Sequence, residues 1–431
     1  MANLKERITH IPTEVIGVLI HITYVVLTFL AWAILARTLD PEVFGRYAYL
    51  ISWVALTVSF ITAGLPIFLV REISTYKQNN EQPLIRGIIY SSFLFVVFFF
   101  LLVVIGVFII NSFDEFDPGI IFPLLTAVFF LPFMAIYQAA TKGLGHVILG
   151  QISTKLISPV LCLIFISLLA HYSYYEAITV SNVLTVFSLV AFIGTIVAFL
   201  IFQRNNKNYY GLEKEYQLAK WRTSLWKISL IGWLVALNIQ LSFILLGYFA
   251  NNDEVAQFKV AAQITSLIPF GLIAINSIQM PALNKAYNNN QHEELQRLAN
   301  RSCIFSTFFG MPIILIVLFF GESLLTILFG SEYHKASNIL LILAVGQIIN
   351  VSAGSTGLLM LVSRKEHMIV INLGFTLLLN VGFCIILIPS LGAIGAAIAS
   401  TISLALKNVF LIYYLYRNIG IVSLPIIWRK N

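Results

Sequence analysis

The chain alternates between long uncharged apolar runs and short polar segments over almost its whole length. A helix needs ~20 consecutive, mostly apolar residues to cross the hydrocarbon core of a bilayer. Twelve runs of about that order occur, at residues 15–36, 47–70, 88–110, 120–141, 156–170, 178–202, 228–250, 260–283, 302–320, 336–362, 368–388 and 393–415. The pattern predicts an all-α polytopic membrane protein of about twelve transmembrane helices.

Two boundaries follow from local sequence. The fifth run, 156–170, is the shortest, and Lys155 precedes it. The eleventh and twelfth runs are separated only by Pro389-Ser390-Leu391-Gly392, which predicts a tight turn.

The first run is long enough to span and has no small-residue cleavage site after it, so we expect a retained helix rather than a signal peptide. Prolines within the runs indicate kinks that are either static or hinges, at Pro66, Pro132, Pro269 and Pro281.

Composition excludes a water-soluble globular protein. The 431 residues are 59% hydrophobic and only 10% charged, whereas about a quarter of a globular domain is charged. The longest hydrophilic stretch, 203–227, leaves no room for a separate soluble catalytic domain. The cysteines Cys162, Cys303 and Cys384 lie in apolar runs without metal-ligand spacing. We therefore predict a protein that is not an enzyme and has no cofactor and no metal.

Basic residues collect on one side of the predicted membrane. The net charge of +7 would suggest nucleic acid in a soluble protein, but here the location of the charges is the better test. With the N-terminus inside, all but five of the 26 Lys and Arg residues fall in cytoplasmic segments, the five being Arg37, Arg46, Lys259, Lys335 and Lys407. The positive-inside rule then predicts cytoplasmic N- and C-termini, and we expect no nucleic-acid partner.

The two halves of the chain share short matches at equivalent topological positions. Glu42-Val43 resembles Glu254-Val255, and Tyr76 to Asn79 resembles Tyr287 to Asn290, at offsets of 212 and 211 residues. Six helices per repeat return the chain to the same side, so the repeat is of the parallel type found in several transporters. We predict an N-terminal lobe over 1–202, a basic cytoplasmic linker over 203–227 and a C-terminal lobe over 228–431.

Several motifs, in order along nearly the whole chain, carry a family resemblance. They are Ala36-Arg37-Thr38-Leu39, Phe44-Gly45-Arg46-Tyr47, Gly64-Leu65-Pro66, Val70-Arg71-Glu72-Ile73, Gly321 to Gly330 with Glu332-Tyr333, Gly346-Gln347, Ile388-Pro389 and Gly392 to Ala397. The sequence resembles the Wzx-type oligosaccharide flippases, a branch of the multidrug/oligosaccharidyl-lipid/polysaccharide exporter superfamily.

The resemblance implies two six-helix lobes around a central cavity that alternates between inward-open and outward-open states. It also implies a multi-pass protein of the bacterial inner membrane. The implied cargo is an undecaprenyl-diphosphate-linked oligosaccharide, moved to the outer leaflet for O-antigen, capsule or exopolysaccharide synthesis. Membrane lipids, a polysaccharide polymerase and chain-length proteins are the further partners it suggests.

Three alternatives remain open at the level of sequence, one of them a purely structural membrane scaffold, which the intramembrane lysines oppose. A drug or metabolite/cation antiporter of the same superfamily needs a buried carboxylate in the first lobe, where Glu14 is the only candidate. A membrane polysaccharide polymerase or ligase needs a substantial outer loop, whereas the predicted outer loops are short and acidic. A lipid II cargo is disfavoured because the first run carries no Lys or Arg, unlike that branch.

Ionisable residues within or beside the spans are the candidate pathway residues, because charge in a bilayer is costly. Lys259 and Lys407 lie in the eighth and twelfth runs, and Lys142 and Lys155 near the inner face. Each of these lysines either is a cation that binds the diphosphate or sugar, or has an ordinary structural role. For Lys259 the alternative is a snorkelling lysine or a partner for Asp253-Glu254, and for Lys142 and Lys155 it is a topology charge.

The remaining candidates lie near the first helix. Arg37 and Arg46 flank the first outer loop and either face the pathway or pair with local acids. Glu14 and His21 are two helical turns apart on one face, a spacing that suits proton coupling but also an ordinary buried histidine. Asn and Gln side chains recur in the runs, where they suit sugar hydroxyls or helix–helix hydrogen bonds.

Overall fold

The computed structural model describes residues 13–111, 117–172, 177–206 and 213–425, and no β-strand occurs in these ranges. Side chains are described from residue 16 on, except at 111 and 172. The helices are α1 Thr13–Thr38, α2 Pro41–Thr62, α3 Leu65–Gln78, α4 Gln82–Asn111, α5 Pro118–Gly143, α6 Leu149–Ile152, α7 Ser158–Tyr172, α8 Val180–Asn205, α9 Leu218–Phe249, α10 Asn252–Thr265, α11 Phe270–Asn288, α12 His292–Phe329, α13 Ser337–Ala353, α14 Thr356–Val362 and α15 Glu366–Ile419.

The number of spans agrees with the sequence prediction. Among the described residues, ten helices can cross a membrane by length and composition, or eleven if α10 and α11, bent by 47°, form one span. The 54-residue α15 would reach about 80 Å if straight, against a hydrocarbon core of ~30 Å. It breaks instead at Gly392, with φ 56°, and the Asn372 amide donates to the Lys407 carbonyl at 3.1 Å. The two arms therefore lie side by side as separate spans, which brings the total within the described ranges to twelve.

Helices extend beyond the apolar runs that predict them, and the extension of the fifth span corrects its predicted start. The fifth span starts at Leu149, seven residues before the predicted 156, with a π-helical turn over Ser153–Ile157. Polar residues at Gln151, Ser153 and Thr154 hide this continuation from a hydropathy window. Lys155 consequently lies about one and a half turns inside a helix rather than beside it.

The described residues form two compact units. Unit 1 comprises residues up to Thr38 together with Trp53–Ala236, and unit 2 comprises Leu39–Ser52 together with the residues from Leu237 on. The core of unit 1 contains side chains from α3, α4 and α5, including Phe68, Ile85 and Ile136. The core of unit 2 contains Leu283, Met360 and Leu415 among others. The predicted lobe boundaries at 202 and 228 stay a prediction.

The repeat is visible in the turns inside each half. After α3, Asn80 has φ 59° and the Glu81 N–H bonds the Tyr76 carbonyl at 2.9 Å. After α11, Asn290 has φ 54° and the Gln291 N–H bonds the Ala286 carbonyl at 2.9 Å. Asparagine tolerates this left-handed conformation, which closes a helix end. The turns match at an offset of 210 residues, one less than the sequence matches indicate.

Candidate functional site

Lys142 occupies the last turn of α5. This helix starts with Pro118 in its first turn, where the missing N–H costs nothing, and the Asp117 side chain accepts the Gly119 N–H at 2.9 Å. At the other end the chain closes at Leu144, whose carbonyl accepts the Lys77 ammonium at 2.6 Å. The Lys142 side chain is half-buried, although it lies at a helix end.

Lys155 lies in the π-helical turn, and Pro159 accounts for that turn. A proline in a helix lacks the N–H that would bond the carbonyl four residues back, and its ring crowds that carbonyl. Four residues before Pro159 is Lys155. The chain takes up an extra residue here: the Ser158 N–H bonds the Ser153 carbonyl, and the Ser158 hydroxyl bonds the same carbonyl at 2.8 Å. Such turns are frequent at functional sites.

Close packing brings Lys142 and the π-helical turn together. The Thr154 hydroxyl donates to the Gln138 side-chain carbonyl oxygen at 3.0 Å. Gly150 of α6 lies directly against α5, because a Cβ there would stand 2.6 Å from Lys142 Cγ and 2.9 Å from the Gln138 carbonyl oxygen. Gly150 thus sets the distance between the two helices, and only hydrogen fits at its side-chain position.

His21 of α1 belongs to the same group. α1 packs directly against the π-helical turn and α7, and the His21 ring on α1 stacks near Tyr24 with centroids 6.2 Å apart. We call His21, Gln138, Lys142, Thr154 and Lys155 the cationic cluster. It unites three predicted candidates, His21, Lys142 and Lys155, from three different spans of unit 1.

The cationic cluster offers charge and hydrogen-bond donors but no acid. Neither lysine forms a salt bridge with any residue that the structure describes. The Gln138 amide nitrogen is buried and has no acceptor among those residues. Two ammonium groups and a spare amide donor match a ligand rich in acceptor oxygens, such as a phosphate.

Lys259 lies apart from this cluster, in unit 2. Its ammonium stands 5.2 Å from the centre of the Phe243 ring, in cation–π geometry. One of the acids predicted as a partner has another role: the Glu254 carboxylate accepts the Ala393 N–H at 2.7 Å. Glu254 thereby caps the second arm of α15 just after the break at Gly392.

Lys407 also lies in unit 2, half-buried on that second arm. Its neighbours are polar: Asn372 donates to its backbone carbonyl, and the buried Asn408 side chain donates to Asn350 at 3.3 Å. The Ser403 hydroxyl, one turn earlier, is buried without a partner among the described residues. Several of the predicted intramembrane amides thus link helices within unit 2.

The other predicted candidates are not brought into one place. Arg37 is exposed in the last turn of α1, in unit 1, whereas Arg46 is exposed on the part of α2 that belongs to unit 2. Arg71, part of one of the family motifs, pairs with the buried Glu72 at 2.9 Å. The Glu14 side chain lies outside the described residues, so the pairing of Glu14 with His21 stays a prediction.

Sequence reasoning missed the π-helical turn and the role of Gly150. The signal for the turn was present in Lys155, Ser158 and Pro159, since a proline four residues after a lysine disturbs that lysine's carbonyl. The signal for Gly150 was absent, because nothing local shows which neighbouring helix a glycine will face.

Comparison with known proteins identifies the family. The family model described as polysaccharide biosynthesis protein matches residues 14–287, more than half of the chain, and the MatE model matches residues 228–386. A capsular polysaccharide biosynthesis protein, CapF, of Staphylococcus aureus is 25% identical over 91% of this chain and 95% of its own. A putative O-antigen transporter of Shigella flexneri is 26% identical over 74% of this chain and 77% of its own.

Solved structures support the fold. An inward-facing multidrug resistance MATE family transporter of the MOP superfamily superposes with a TM-score of 0.74 at 14% identity, over 92% of this chain and 94% of that one. A MOP superfamily transporter from Pyrococcus furiosus, described as having a binding pocket of reverse polarity, superposes with a TM-score of 0.62 at 16% identity over 94% of each chain. These likenesses show the two-lobed transporter fold, and the matched family model shows that this chain belongs to the polysaccharide biosynthesis protein family.

Proposed function

We propose that this protein is a flippase that moves undecaprenyl-diphosphate-linked oligosaccharides from the cytoplasmic to the outer leaflet for surface polysaccharide synthesis. The observation that carries the proposal is the cationic cluster. Lys142 and Lys155 are half-buried within membrane-spanning helices and have no salt-bridge partner among the described residues. A charge inside the bilayer is costly, so a charged residue at such a position is a candidate for function.

A lipid-linked oligosaccharide presents the chemistry that this cluster lacks. Its diphosphate supplies negative charge and acceptor oxygens, which match two ammonium groups and the free Gln138 amide. The glycan supplies hydroxyls for amide and hydroxyl side chains such as Thr154. Moving both through ~30 Å of hydrocarbon requires a polar route of this kind.

The cation antiporter is less well supported. Such a transporter needs a buried acid that is available to a cation. Among the described residues Glu72 is the one acidic side chain that is buried, and it is engaged by Arg71. The relatives point the same way, because they are named for capsule biosynthesis and O-antigen transport.

Further details of the proposal extend the predictions from sequence. We infer alternating access of two six-helix lobes, a location in the bacterial inner membrane and cytoplasmic termini. The cationic cluster would receive the diphosphate near the basic, cytoplasmic side. Lys259 and Lys407 in unit 2, with Arg37 and Arg46, would act later along the pathway, and a polymerase with its chain-length protein would take up the product.

The proposal is tested by deleting the protein and locating the lipid-linked oligosaccharide. In spheroplasts, a membrane-impermeant glycan-oxidising or glycan-cleaving reagent should reach the oligosaccharide only when this protein is present. In inverted vesicles of the deletion strain the oligosaccharide should become fully accessible. An unchanged distribution across the bilayer would refute the flippase function, and re-expression of the intact chain controls for polar effects on neighbouring genes.

A further inference from the structure

An apolar groove lies within unit 1, and none of the predicted site residues lines it. Its volume is about 400 Å³, within the ~300–1,000 Å³ of ordinary ligand sites. The first part of α9 forms one wall, and α3 and α4 form the other. Its lining includes Phe68, Ile88, Phe95, Phe99, Trp226 and Trp233.

The aromatic wall is fixed by specific contacts. The Trp226 and Trp233 rings pack edge to face at 5.7 Å, and Trp233 stacks on Phe60 at 5.4 Å. The Trp221 indole N–H donates to the Tyr76 hydroxyl at 2.8 Å, which ties the start of α9 to α3. The groove is therefore a built feature rather than a gap between mobile side chains.

The serine hydroxyls that line the groove all donate hydrogen bonds to backbone carbonyls. Ser91 donates to the Gly87 carbonyl and Ser92 to the Ile88 carbonyl, both at 2.8 Å. The Ser229 hydroxyl bonds the Ala63 carbonyl, which the break between α2 and α3 leaves without a helical donor. Among the described residues, the Trp233 indole N–H is the one buried side-chain donor of the groove that has no partner, so the interior of the groove suits a hydrocarbon chain better than a glycan.

One end of the groove is cationic. Arg222 lines it and is exposed. The described residues 213–227 carry four basic side chains, Lys214, Lys220, Arg222 and Lys227, against the two acids Glu213 and Glu215. Tryptophan beside Lys and Arg at a helix start is typical of the membrane–water interface. Basic pockets between membrane helices on the cytoplasmic side bind anionic head groups.

We propose that this groove binds an anionic phospholipid of the leaflet on the side of the basic loops. Its acyl chain lies along Phe95, Phe99 and Trp233, and its phosphate meets Arg222 at the start of α9. A phospholipid is favoured over the lipid-linked cargo because the groove has a cation for one head group and, among its described residues, only the Trp233 indole N–H as an unpartnered buried donor, which is too little for a glycan. This site is separate from the cationic cluster and does not depend on the transport function.

The test compares lipid retention by purified full-length protein in mixed micelles of phosphatidylglycerol and phosphatidylcholine, read by native mass spectrometry. Wild type should retain phosphatidylglycerol preferentially. Arg222→Ala should weaken that retention about tenfold, the scale of one lost charge-assisted contact to a phosphate. Ser91→Phe should abolish it by filling the groove.

Lys227→Ala is the matched control. Lys227 is exposed and basic on the same helix, but it lies about 140° away around α9 at ~100° per residue and does not line the groove. Equal retention of both lipids by wild type, or equal loss in the Arg222 and Lys227 variants, would overturn the proposal. Displacement of phosphatidylglycerol by undecaprenyl phosphate at equal concentration would assign the groove to the cargo instead. If the Ser91 variant does not fold, the comparison of Arg222 with Lys227 still decides.

Discussion

Pro159 lies four residues after Lys155 in the fifth span, and the helix between them widens into a π-helical turn. The extra residue changes the direction in which Lys155 points relative to a regular helix, by about 100°. The direction of a cationic side chain inside the membrane is thus set by a proline that has no polar chemistry of its own.

Pro159→Ala should therefore reduce transport without destabilising the protein. Alanine restores an N–H that can bond the Lys155 carbonyl, so a regular helix becomes possible and Lys155 moves out of the cationic cluster. Removing an interior proline stabilises a helix by up to about 3 kcal/mol, so the unfolding temperature should stay the same or rise. Transport is measured as surface exposure of the lipid-linked oligosaccharide, and unaltered transport would mean that the turn does not position Lys155.

The two lysines of the cationic cluster should matter through their charge. Lys142→Ala and Lys155→Ala should each lower transport about tenfold or more, since a contact to a charged group contributes about 1.5–3 kcal/mol. The arginine variants should retain part of the activity because they keep the charge. Lys285→Ala is the matched control, because Lys285 also lies in the last turn of its helix, α11, but is exposed, whereas Lys142 in the last turn of α5 is half-buried. Normal transport in both alanine variants would remove the cluster from the pathway.

Much of the fold follows from sequence because the bilayer imposes a simple rule. Runs of apolar residues predict the spans, and the turn at Gly392 is predicted from Pro389 and Gly392. The start of the fifth span could not be predicted in the same way, because Gln151, Ser153 and Thr154 lower its hydropathy although they lie in a helix. Their polar groups are accommodated by neighbouring helices, as in the bond from Thr154 to Gln138.

The candidate site was predictable as a set of residues but not as an arrangement. Lys142 and Lys155 stand out because they are ionisable and close to apolar runs. The close approach of Lys142 to the helix that carries Lys155 depends on Gly150, whose partner helix no local pattern specifies. The role of Glu254 shows the same limit, since it caps a helix 139 residues farther along the chain.

Gly150→Ala should separate α6 from α5. Its Cβ would overlap Lys142 Cγ and crowd the Gln138 carbonyl oxygen, and overpacking of this kind costs about 1–3 kcal/mol. We expect a lower unfolding temperature in detergent together with reduced transport. Gly374→Ala on α15 is the control: nothing lies within 4 Å of its added Cβ, so helix propensity alone should stabilise that variant by about 0.5–1 kcal/mol. Equal stability of the two variants would contradict the packing account.

Glu254→Ala should destabilise unit 2. The carboxylate satisfies the Ala393 N–H at the start of the second arm of α15, and loss of a helix cap costs about 0.5–2 kcal/mol. The unfolding temperature should fall, and Glu254→Gln, which keeps an acceptor oxygen, should recover much of the difference. Glu322→Ala, which removes an exposed acid from α12, should leave the unfolding temperature unchanged. A fall of equal size in the Glu322 variant would show that net charge, and not the cap, is responsible.

Lys407 allows structure and transport to be separated at one place. The Asn372 side chain bonds the Lys407 backbone carbonyl, not its ammonium. Lys407→Ala therefore keeps that link between the two arms of α15, whereas Asn372→Ala breaks it. If Lys407 belongs to the pathway, Lys407→Ala should lower transport several-fold at normal membrane abundance and normal unfolding temperature, while Asn372→Ala should lower both. Lys259→Ala should lower transport as Lys407→Ala does, and loss of the partly buried cation–π contact to Phe243 should also cost about 1–2 kcal/mol of stability. Full transport by both lysine variants would confine the intramembrane cations of the pathway to unit 1. The one other candidate in unit 2, Arg46, is exposed near the start of α2.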